Sequence, residues 1–285
     1  MGASREAWSV VTGATDGIGR QTALELLARG HRVILHGRSK PKLEQVAAQM
    51  RTAHPRAALE WVCFELGSLA EVRAGAQELL ARFDRIGAVI ANAGVYPQGH
   101  QLSVDGYELS FAVNHLAHFY LIHLLLPRLE ESAPSRVVVL SSIAHHRGEL
   151  ELEGIALGRD GSGSPVERFD GYRAYASSKL ANLLFAQELA RRCEGSGVDV
   201  NAVHPGVIDT KMLRDGFGKL DGAPIEEGAR CSIYVATAAE LQGVSGKYFA
   251  DSKPARSASR AQDLALQQGL WSLSEKLCGL SQQTD

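Results

Sequence analysis

Residues 8–19 read WSVVTGATDGIG, an apolar run followed by a turn that holds three glycines. The apolar run predicts a buried strand over residues 8–12, and residues 22–28 have helical periodicity that stops at Gly30. A strand, a glycine turn and a helix in this order are typical of a dinucleotide site, where a pyrophosphate binds the amides at the helix N-terminus. This stretch therefore predicts both the beginning of the fold and the first part of a binding site.

The turn itself supplies the first candidate ligand-binding residues. Gly13 lets the chain turn sharply, while Gly17 and Gly19 remove side chains where the backbone must approach a pyrophosphate. The spacing differs from the commoner G-x-G-x-x-G, because three residues separate the first two glycines. A glycine-rich turn without a ligand is the alternative interpretation. The candidate residues of the turn are Gly13, Thr15, Asp16, Gly17, Ile18 and Gly19.

Strand-like and helical segments alternate along the rest of the chain. Further strands are predicted at residues 32–35, 59–64, 86–91, 136–140, 198–203 and 247–249. Helices are predicted at residues 41–50, after Ser68, and at 104–129, 175–192, 225–239 and 261–277. This alternation predicts an α/β fold, a single-domain Rossmann-type doubly wound parallel sheet of about seven strands with helices on both faces. No repeat or linker interrupts residues 1–285, so one domain is expected.

Two long polar segments are expected to border a substrate site. Residues 143–172 follow the strand that ends in Ser141-Ser142 and precede the helix of Tyr175, a position that favours a lid. Residues 208–224 form a second, glycine-containing loop after another strand. Both segments begin near carboxyl ends of strands, where ligands bind in open α/β sheets.

The end of the second strand indicates which dinucleotide binds. In such folds an acidic residue at this point bonds the ribose 2′-hydroxyl, whereas an arginine accommodates a 2′-phosphate. Arg38 occupies the position and no acid competes with it, which predicts NADP(H) over NAD(H). A solvated Arg38 that pairs with Asp16 is the alternative.

Residues 175–179, YASSK, are the candidate chemical centre. Tyr175 and Lys179 lie one helical turn apart and share a face, with β-carbons roughly 5–6 Å apart. A cation at ~4 Å is expected to lower the tyrosine pKa by roughly three units, toward the working range of an acid/base catalyst. A surface helix with one aromatic residue and one lysine is the alternative interpretation.

Two further polar residues join this centre as candidates. Asn114 lies within an apolar helical stripe and must find hydrogen-bond partners, for which a structural role in the core is the alternative. Ser142 follows a valine-rich strand, where its hydroxyl can polarise a substrate carbonyl, although serines after strands are usually turn formers.

Composition excludes several classes of function. A net charge of −2 argues against a nucleic-acid partner. No apolar run is long enough for a membrane span, and the early first strand leaves no room for a signal peptide. Four scattered cysteines predict free thiols in a reducing cytoplasm. The histidines show no metal-binding spacing, and His145-His146 is interpreted as a solvated loop pair, so no metal is expected.

The motifs taken together resemble the short-chain dehydrogenase/reductase superfamily across nearly the whole chain. Segments 141–145 (SSIAH), 178–182 (SKLAN) and 203–207 (VHPGV) are also similar to retinol-dehydrogenase-like and WW-domain-oxidoreductase-like members. The matching pieces are Thr12-Gly13, Gly17-Ile18-Gly19, Asn92-Ala93-Gly94, Asn114, Ser142, Tyr175, Lys179 and Pro205-Gly206.

The resemblance implies a role for each candidate. Tyr175 is the general acid in carbonyl reduction and the base in alcohol oxidation. Lys179 lowers the pKa of Tyr175 and holds the ribose of the nicotinamide. Ser142 bonds the substrate oxygen, and Asn114 holds a water that relays protons to Lys179. Thr210 meets the nicotinamide amide.

The implied cofactor site also contains two departures from the family pattern. Glu65 stands where an aspartate usually bonds adenine, and Ala91 replaces the first asparagine of a common Asn-Asn-Ala-Gly run. Both concern cofactor fit. Besides the turn, the implied cofactor-binding residues are Arg38, Glu65, Leu66, Asn92, Ala93, Gly94, Tyr175, Lys179, Pro205, Gly206, Val207, Ile208 and Thr210.

These expectations combine into an NADP(H)-dependent alcohol dehydrogenase or carbonyl reductase. Its expected substrate is a medium-sized hydrophobic aldehyde, ketone or secondary alcohol. A non-catalytic NADP(H)-binding sensor or scaffold is one alternative. A nucleotide-sugar epimerase or dehydratase is another, although the chain after Thr210 is short for its substrate domain. Family analogy implies a homodimer or homotetramer built on the helices of Asn114 and Tyr175.

Overall fold

The computed structural model describes residues 6–156, 169–217 and 221–280, in which one eight-stranded sheet forms the centre. The strand order is β3-β2-β1-β4-β5-β6-β7-β8, and every neighbouring pair is parallel except β7 and the short β8. This confirms the predicted doubly wound fold with one strand more than expected. The strands are β1 Trp8–Val11, β2 Arg32–Gly37, β3 Leu59–Cys63, β4 Ile86–Ala91, β5 Ser135–Leu140, β6 Val198–His204, β7 Tyr248–Ala250 and β8 Lys253–Pro254.

Helices cover both faces of the sheet. Successive residues of a strand point to opposite faces, so Val10 and Val89 belong to one apolar cluster and Val11 and Ile90 to the other. The first cluster includes side chains of α3, α4 and α6, and the second includes side chains of α1, α2 and α8. The helices are α1 Gly17–Ala28, α2 Lys40–Ala53, α3 Leu69–Arg82, α4 Ala117–Glu131, α5 Leu152–Ala156, α6 Gly171–Arg192, α7 Lys211–Phe217, α8 Ile225–Thr237 and α9 Leu264–Leu277.

The strand order reverses at β1, which lies between β2 and β4. After β3 the chain crosses to the other side of β1, so the loops that follow β1 and β4 diverge and leave a crevice. The glycine turn follows β1 and the Asn92-Ala93-Gly94 loop follows β4. The topology therefore brings these two motifs to opposite sides of one crevice.

The helix predicted from residue 104 begins later. The Glu108 carboxylate accepts hydrogen bonds from the amides of Ser110 (2.9 Å) and Phe111 (2.8 Å) and so caps a helix at that point. A π-helical segment, Phe111–Leu116, precedes α4. The prediction was wrong for residues 104–108 because apolar periodicity does not show where this cap lies.

The predicted lid and substrate loop contain ordered elements. Ile143–Arg147 form a 3-10 helix and α5 follows, while α6 begins at Gly171, with the Asp170 carboxylate accepting from the Tyr172 amide at 2.8 Å. Helix α7 lies within the predicted substrate loop. Residues 157–168 of the lid and 218–220 of the loop lie outside the described residues.

The C-terminal helix α9 packs against α4 and α6. The Trp271 ring lies 4.9 Å from that of Phe119 and 6.1 Å from that of Phe185 between centroids, and the Arg192 guanidinium lies 4.1 Å from the Trp271 ring. The N-cap of α9 is Asp263, and the helix begins at Leu264, three residues after the predicted start. No helix in the described part of the chain combines the length and apolar character needed to cross a bilayer.

Candidate active site

A cavity of about 540 Å³ opens at the carboxyl end of the sheet. Its wall includes most of the residues predicted from the sequence, whereas Asn114, Ser142, Gly206, Val207 and Ile208 lie outside the lining. The predicted residues in the wall are Gly13, Thr15, Asp16, Gly17, Ile18, Gly19, Arg38, Glu65, Leu66, Asn92, Ala93, Gly94, Tyr175, Lys179, Pro205 and Thr210.

The glycines of the turn meet different requirements. Gly13 has a φ of +66°, which favours glycine. A Cβ on Gly19 would lie 2.4 Å from both the Gly13 oxygen and Asn92 Nδ2, so Gly19 allows close packing inside the turn, and the expectation that it leaves space for a pyrophosphate is corrected. A Cβ on Gly17 would meet only Thr210 Cγ2, at 3.8 Å. Gly17 is therefore the glycine that leaves room beside the start of α1.

Buried polar contacts join the turn to the loop after β4. Thr12 Oγ1 accepts from the amides of Asn92 and Ala93, each at 2.9 Å, and Asn92 Nδ2 donates to the Thr12 oxygen at 2.8 Å. His118 Nε2 lies 2.9 Å from Thr12 Oγ1, and His118 Nδ1 lies 3.0 Å from the backbone oxygen of Asn114. Because a carbonyl only accepts, Nδ1 carries the proton and Nε2 accepts from Thr12.

Two buried histidines that support the site were missed in the sequence. Burial lowers the pKa of His118 to about 4 and that of His36 to about 3, so both are neutral at pH 7. His36 Nε2 donates to the Phe64 oxygen at 3.1 Å and Nδ1 accepts from the Gly13 amide at 3.4 Å. The available signals were the position of His36 at the end of β2 and that of His118 one turn after Asn114.

Basic side chains gather at one end of the cavity. Arg38 forms an ion pair with Glu65 at 3.5 Å, and its side chain is 72% exposed. Asp16, the partner in the alternative interpretation, instead caps α1 by accepting from the Gly17 amide at 2.7 Å. Lys42, one turn into α2, lines the same cavity and was missed. This end can therefore take a negatively charged group.

Tyr175 and Lys179 lie together in the wall of the cavity. Both are buried, at 7% and 4% exposure, and Lys179 Nζ lies 5.6 Å from the Tyr175 ring centroid. Lys179 Nζ donates to the Leu140 oxygen at 3.0 Å, and Tyr175 forms a side-chain hydrogen bond with Ser142. The structure thus brings the predicted phenol, ammonium and hydroxyl to one place.

The protonation state of Tyr175 differs from the expectation. Burial raises the pKa of Tyr175 to about 12, and the hydrogen bond with Ser142 only partly offsets this rise. Burial also lowers the pKa of Lys179 to about 8. The predicted lowering of the Tyr175 pKa by Lys179 is not found in this structure, in which desolvation of the phenol has the largest effect on that pKa. At neutral pH Tyr175 is a protonated phenol beside a charged ammonium.

The adjacent serines have separate roles. Ser141 Oγ donates to the Lys179 oxygen at 2.8 Å and so ties β5 to α6. Ser142 Oγ accepts from the Ala144 amide at 3.2 Å in addition to its bond with Tyr175. His145, interpreted from the sequence as solvated, is fully buried and bonded to the Ser142 oxygen, which corrects that prediction.

Asn114 lies behind the loop that follows β4. Its Oδ1 accepts from the Val95 amide at 2.7 Å, and its Nδ2 donates to the Val95 oxygen (3.0 Å) and to Ser178 Oγ (2.9 Å). A Cβ on Gly94 would lie 3.3 Å from Asn114 Oδ1 and 3.6 Å from Lys179 Nζ, so the two side chains flank the same glycine. The water relay stays a prediction.

An aromatic side chain missed in the sequence faces Tyr175. The Tyr96 ring lies 5.3 Å from the Tyr175 ring between centroids, two residues after Gly94. Helix α7 packs so closely on Tyr96 that a Cβ on Gly216 would lie 2.0 Å from its Cδ1. Met212 of α7 also lines the cavity. This side of the cavity therefore combines aromatic and apolar side chains with two charged residues of α7, Lys211 and Asp215.

The segment after β6 contributes less to the wall than predicted. Pro205 and Thr210 line the cavity, but Val207 is 46% exposed. Ile208 is buried. A Cβ added to Gly228 would lie 2.9 Å from Ile208 Cγ1 and 2.9 Å from Ile18 Cγ1. Ile208 therefore packs beneath the cavity against α8.

The residues present fit a nicotinamide dinucleotide. The first amides of α1 have no partner within the helix and lie beside the space at Gly17. Arg38 is exposed at one end of the cavity, and the Tyr175–Lys179 pair lies in the same wall. Among the residues that the structure describes, no group of three or more histidine, cysteine, aspartate or glutamate side chains could hold a metal ion.

Comparison with known proteins agrees with this site. The family profile described as short chain dehydrogenase matches residues 7–152 and 161–219. The chain belongs to the short-chain dehydrogenase family. Mouse retinol dehydrogenase 14 is 38% identical, with 95% of this chain and 85% of that protein covered. Human retinol dehydrogenase 13 is 39% identical, with coverages of 95% and 84%. This short-chain dehydrogenase belongs to the retinol-dehydrogenase-like branch.

Solved structures extend the likeness to the fold. An uncharacterized Mycobacterium paratuberculosis protein is 32% identical, with a TM-score of 0.79 and 98% of each chain covered. A short-chain dehydrogenase from Escherichia coli CFT073, complexed with NADPH, is 25% identical, with a TM-score of 0.70 and coverages of 87% and 97%. Family, fold and site together make this short-chain dehydrogenase an oxidoreductase with a nicotinamide cofactor and a small-molecule substrate.

Proposed function

We propose that this protein is an NADP(H)-dependent alcohol dehydrogenase or carbonyl reductase. It transfers a hydride between C4 of nicotinamide and a medium-sized hydrophobic aldehyde, ketone or secondary alcohol. The observation that carries the proposal is that Tyr175, which is hydrogen-bonded to Ser142, and Lys179 lie in the wall of the cavity that also contains the glycine turn. A protein that only senses NADP(H) needs the turn but not this trio.

The protein's own contribution is proton transfer and orientation. The bound cofactor supplies the hydride. The protonated Tyr175 donates its proton to the carbonyl oxygen, which Ser142 holds by a second hydrogen bond. Lys179, charged at neutral pH, stabilises the phenolate that Tyr175 becomes and would bind the ribose hydroxyls of the cofactor. In alcohol oxidation Tyr175 takes the proton back.

The basic end of the cavity supports NADP(H) over NAD(H). Arg38 is exposed and is held only by a 3.5 Å pair with Glu65, and Lys42 lines the same end. Such pairs contribute little in water, so a 2′-phosphate can displace Glu65 from Arg38. The NADPH complex of the Escherichia coli relative supports the same choice.

The substrate side supports a hydrophobic compound. Tyr96, Met212 and Val113 line the cavity next to Tyr175. The similar proteins are named retinol dehydrogenases, and retinol is a hydrophobic alcohol. The free cysteines of the described chain suit a reducing cytoplasm, where carbonyl reduction is the direction we infer.

The test is turnover of a panel of carbonyls and alcohols with both nicotinamide cofactors, followed by absorbance of the reduced nicotinamide. The panel contains nonanal, benzaldehyde, cyclohexanone, retinaldehyde and their alcohols. Tyr175→Phe is expected to lower kcat about 100-fold or more while NADPH still binds, because only the proton donor is lost. Tyr172→Phe, on the same helix and 37% exposed in the wild type, is the matched control.

Two results would contradict the proposal. Tyr175→Phe turnover at the wild-type rate would remove Tyr175 from the mechanism. Tight NADPH binding by the wild type without turnover of any panel member would instead favour the non-catalytic sensor.

A further inference from the structure

His145 connects the strand end that carries Ser142 to a distant part of the chain. The last hydrogen bond between β5 and β6 is donated by the Ser141 amide to the Val203 oxygen, at 2.8 Å. Ser142 is the first residue after this bond. The Ser142 oxygen accepts from His145 Nδ1 at 2.5 Å, and His145 Nε2 accepts from the Ala258 amide at 3.0 Å. His145 therefore bridges Ser142 and the segment that follows β8.

The chemistry of the two partners determines the state of the imidazole. A carbonyl oxygen only accepts and a backbone amide only donates, so Nδ1 carries the proton and Nε2 has the lone pair. His145 is fully buried, and burial keeps its pKa at about 4, below the usual value. The neutral ring satisfies both partners at once.

The far end of this bridge is anchored. The Ala255 amide donates to the Tyr248 oxygen at 2.8 Å, which holds the segment to β7. The Ala258 oxygen accepts from the Ala261 amide at 3.0 Å, and Ala261 is fully buried. The ring of His145 also lies 4.9 Å from that of Tyr248, edge to face. Ser142 is thus connected through one imidazole to a packed part of the molecule.

We propose that His145 is a positioning residue, which holds Ser142 at the distance from Tyr175 that the reaction needs by tying it to Ala258. The inference rests on the proposed function, since it assigns His145 a role in that reaction. His145 itself contacts neither Tyr175 nor the cavity wall in the contacts described, and it acts through Ser142.

The test removes the tie from each end and measures the single-turnover rate of NADPH oxidation with the fastest carbonyl of the panel. His145→Asn retains a donor toward the Ser142 oxygen but cannot reach Ala258. Ala258→Pro removes the amide hydrogen and puts the proline Cδ in its place against His145 Nε2, while the φ of −56° at this position suits proline. His146→Asn is the matched control, since His146 is exposed.

Each tie variant is expected to lower the single-turnover rate about tenfold, with the NADPH Kd and the melting temperature close to the wild-type values. The same substitutions are then made in Ser142→Ala. If His145 acts through the Ser142 hydroxyl, they cause no further loss in that background, because the double-mutant cycle is fully coupled. A residue that only stabilises the fold would cause the same loss in both backgrounds.

Several outcomes would overturn the inference. The first is a wild-type single-turnover rate in Ala258→Pro. The second is an equal loss of that rate with and without the Ser142 hydroxyl. The third is a loss of that rate in His146→Asn equal to the loss in His145→Asn. A wild-type protein that turns over no carbonyl overturns the proposed function and this inference together, whereas additive losses in an active protein overturn the inference alone.

Discussion

Burial shifts the pKa values of Tyr175 and Lys179 in opposite directions. Burial disfavours a charge, so it raises the pKa of Tyr175 to about 12 and lowers that of Lys179 to about 8. Lys179 still carries its charge at pH 7, with the Leu140 oxygen as a hydrogen-bond acceptor at 3.0 Å. The site therefore holds a buried charge that the proposed mechanism uses and that lowers the stability of the fold.

Replacing Lys179 by methionine is expected to stabilise the protein at pH 7 by about 2 kcal/mol, since it removes the cost of a buried ammonium at the expense of one hydrogen bond. Between about pH 8 and 10.5 the unfolded wild type binds a proton that the folded wild type lacks, so this contribution to wild-type stability rises with pH. The difference between the proteins should shrink over that interval. Urea unfolding of both proteins at pH 7 and pH 10 measures it.

Lys276→Met is the control for this prediction, because Lys276 is exposed and lies outside the cavity wall. An equal stability change in both variants would show that burial of Lys179 is not the cause. Turnover should be lost only in Lys179→Met.

Arg38→Ala is expected to raise the Kd for NADPH about 10- to 100-fold and to change the Kd for NADH little, because the proposed partner of the guanidinium is the 2′-phosphate, which NADH lacks. Fluorescence titration with both cofactors measures the preference. Arg56→Ala, an exposed arginine after α2, should leave both constants unchanged. An Arg38→Ala protein that keeps the wild-type preference would contradict the assignment of this end of the cavity.

Local chemistry made some of these residues predictable and others not. Tyr175 and Lys179 are one helical turn apart, so their shared face follows from the sequence. The partner of Arg38 does not, because Glu65 comes from another strand and the sequence suggested Asp16. His145 was interpreted as solvated because its partner Ala258 is distant in sequence. Burial of Tyr175 likewise depends on Tyr96 and α7.

At the scale of elements, α7 covers one side of the cavity and contacts Tyr96. Gly216 is the point of closest approach, where a Cβ would lie 2.0 Å from Tyr96 Cδ1. Tyr96 in turn lies 5.3 Å from Tyr175 between ring centroids. The distance between α7 and Tyr96 therefore determines how much space a substrate has beside Tyr175.

Gly216→Ala is expected to push α7 away from Tyr96 and to raise the KM for the carbonyl substrate by about three- to tenfold, a cost typical of small displacements at a site. The NADPH Kd should change less than twofold, because the glycine turn, Arg38 and Lys179 lie outside α7 and only Thr210, which caps α7, adjoins it. Steady-state kinetics with the panel measure both constants.

Gly99→Ala is the matched control, because no atom of the described residues lies within 4 Å of a Cβ at that glycine. A KM that rises equally in both variants, or a change confined to NADPH binding, would show that contact between α7 and Tyr96 does not limit the substrate space.

Element boundaries were predictable where apolar periodicity ends at a capping residue. Ser68 caps α3 as expected, with its hydroxyl accepting from the Glu71 amide at 3.3 Å. Glu108 precedes the next helix and caps it through its carboxylate, which accepts from the Ser110 and Phe111 amides. The apolar pattern of this segment continues through Glu108 and gives no sign of the cap. The π-helical turn that holds Asn114 has no sequence signal of its own, although such turns are frequent at functional sites.

At the scale of the whole molecule, α9 completes the apolar cluster on one face. Trp271 is 5% exposed and contacts Phe119 of α4 and Phe185 of α6, while His115 bonds Ser274 at 3.0 Å. The homodimer implied by family analogy stays a prediction. Because α9 covers part of α4 and α6, a dimer built on those helices has to include it.

Trp271→Ala is expected to destabilise the protein by about 3–5 kcal/mol and to promote self-association, since it opens a cavity and loosens α9 from an apolar face. Thermal unfolding and light scattering measure the two effects. Leu264→Ala on the same helix is the control, because Leu264 is 59% exposed. Equal effects of the two substitutions would contradict a covering role for Trp271.

The architecture as a whole was predictable from the alternation of strands and helices, because each strand of a parallel sheet needs a crossover helix. Strand β8 was not, since two residues are too few to show a period. Neither was the role of α9 on α4 and α6, because an amphipathic pattern shows that a helix packs but not where.

An unpaired strand at the rim of a sheet offers a row of amides and carbonyls that a foreign polypeptide can extend. The edge strand next to β7 is β8, which consists of Lys253 and Pro254. Both residues are exposed, and proline has no amide hydrogen to donate. A strand added at this edge would lie beside the charge of Lys253 and would find no amide donor at Pro254. This edge of the sheet is therefore a poor template for the addition of another strand.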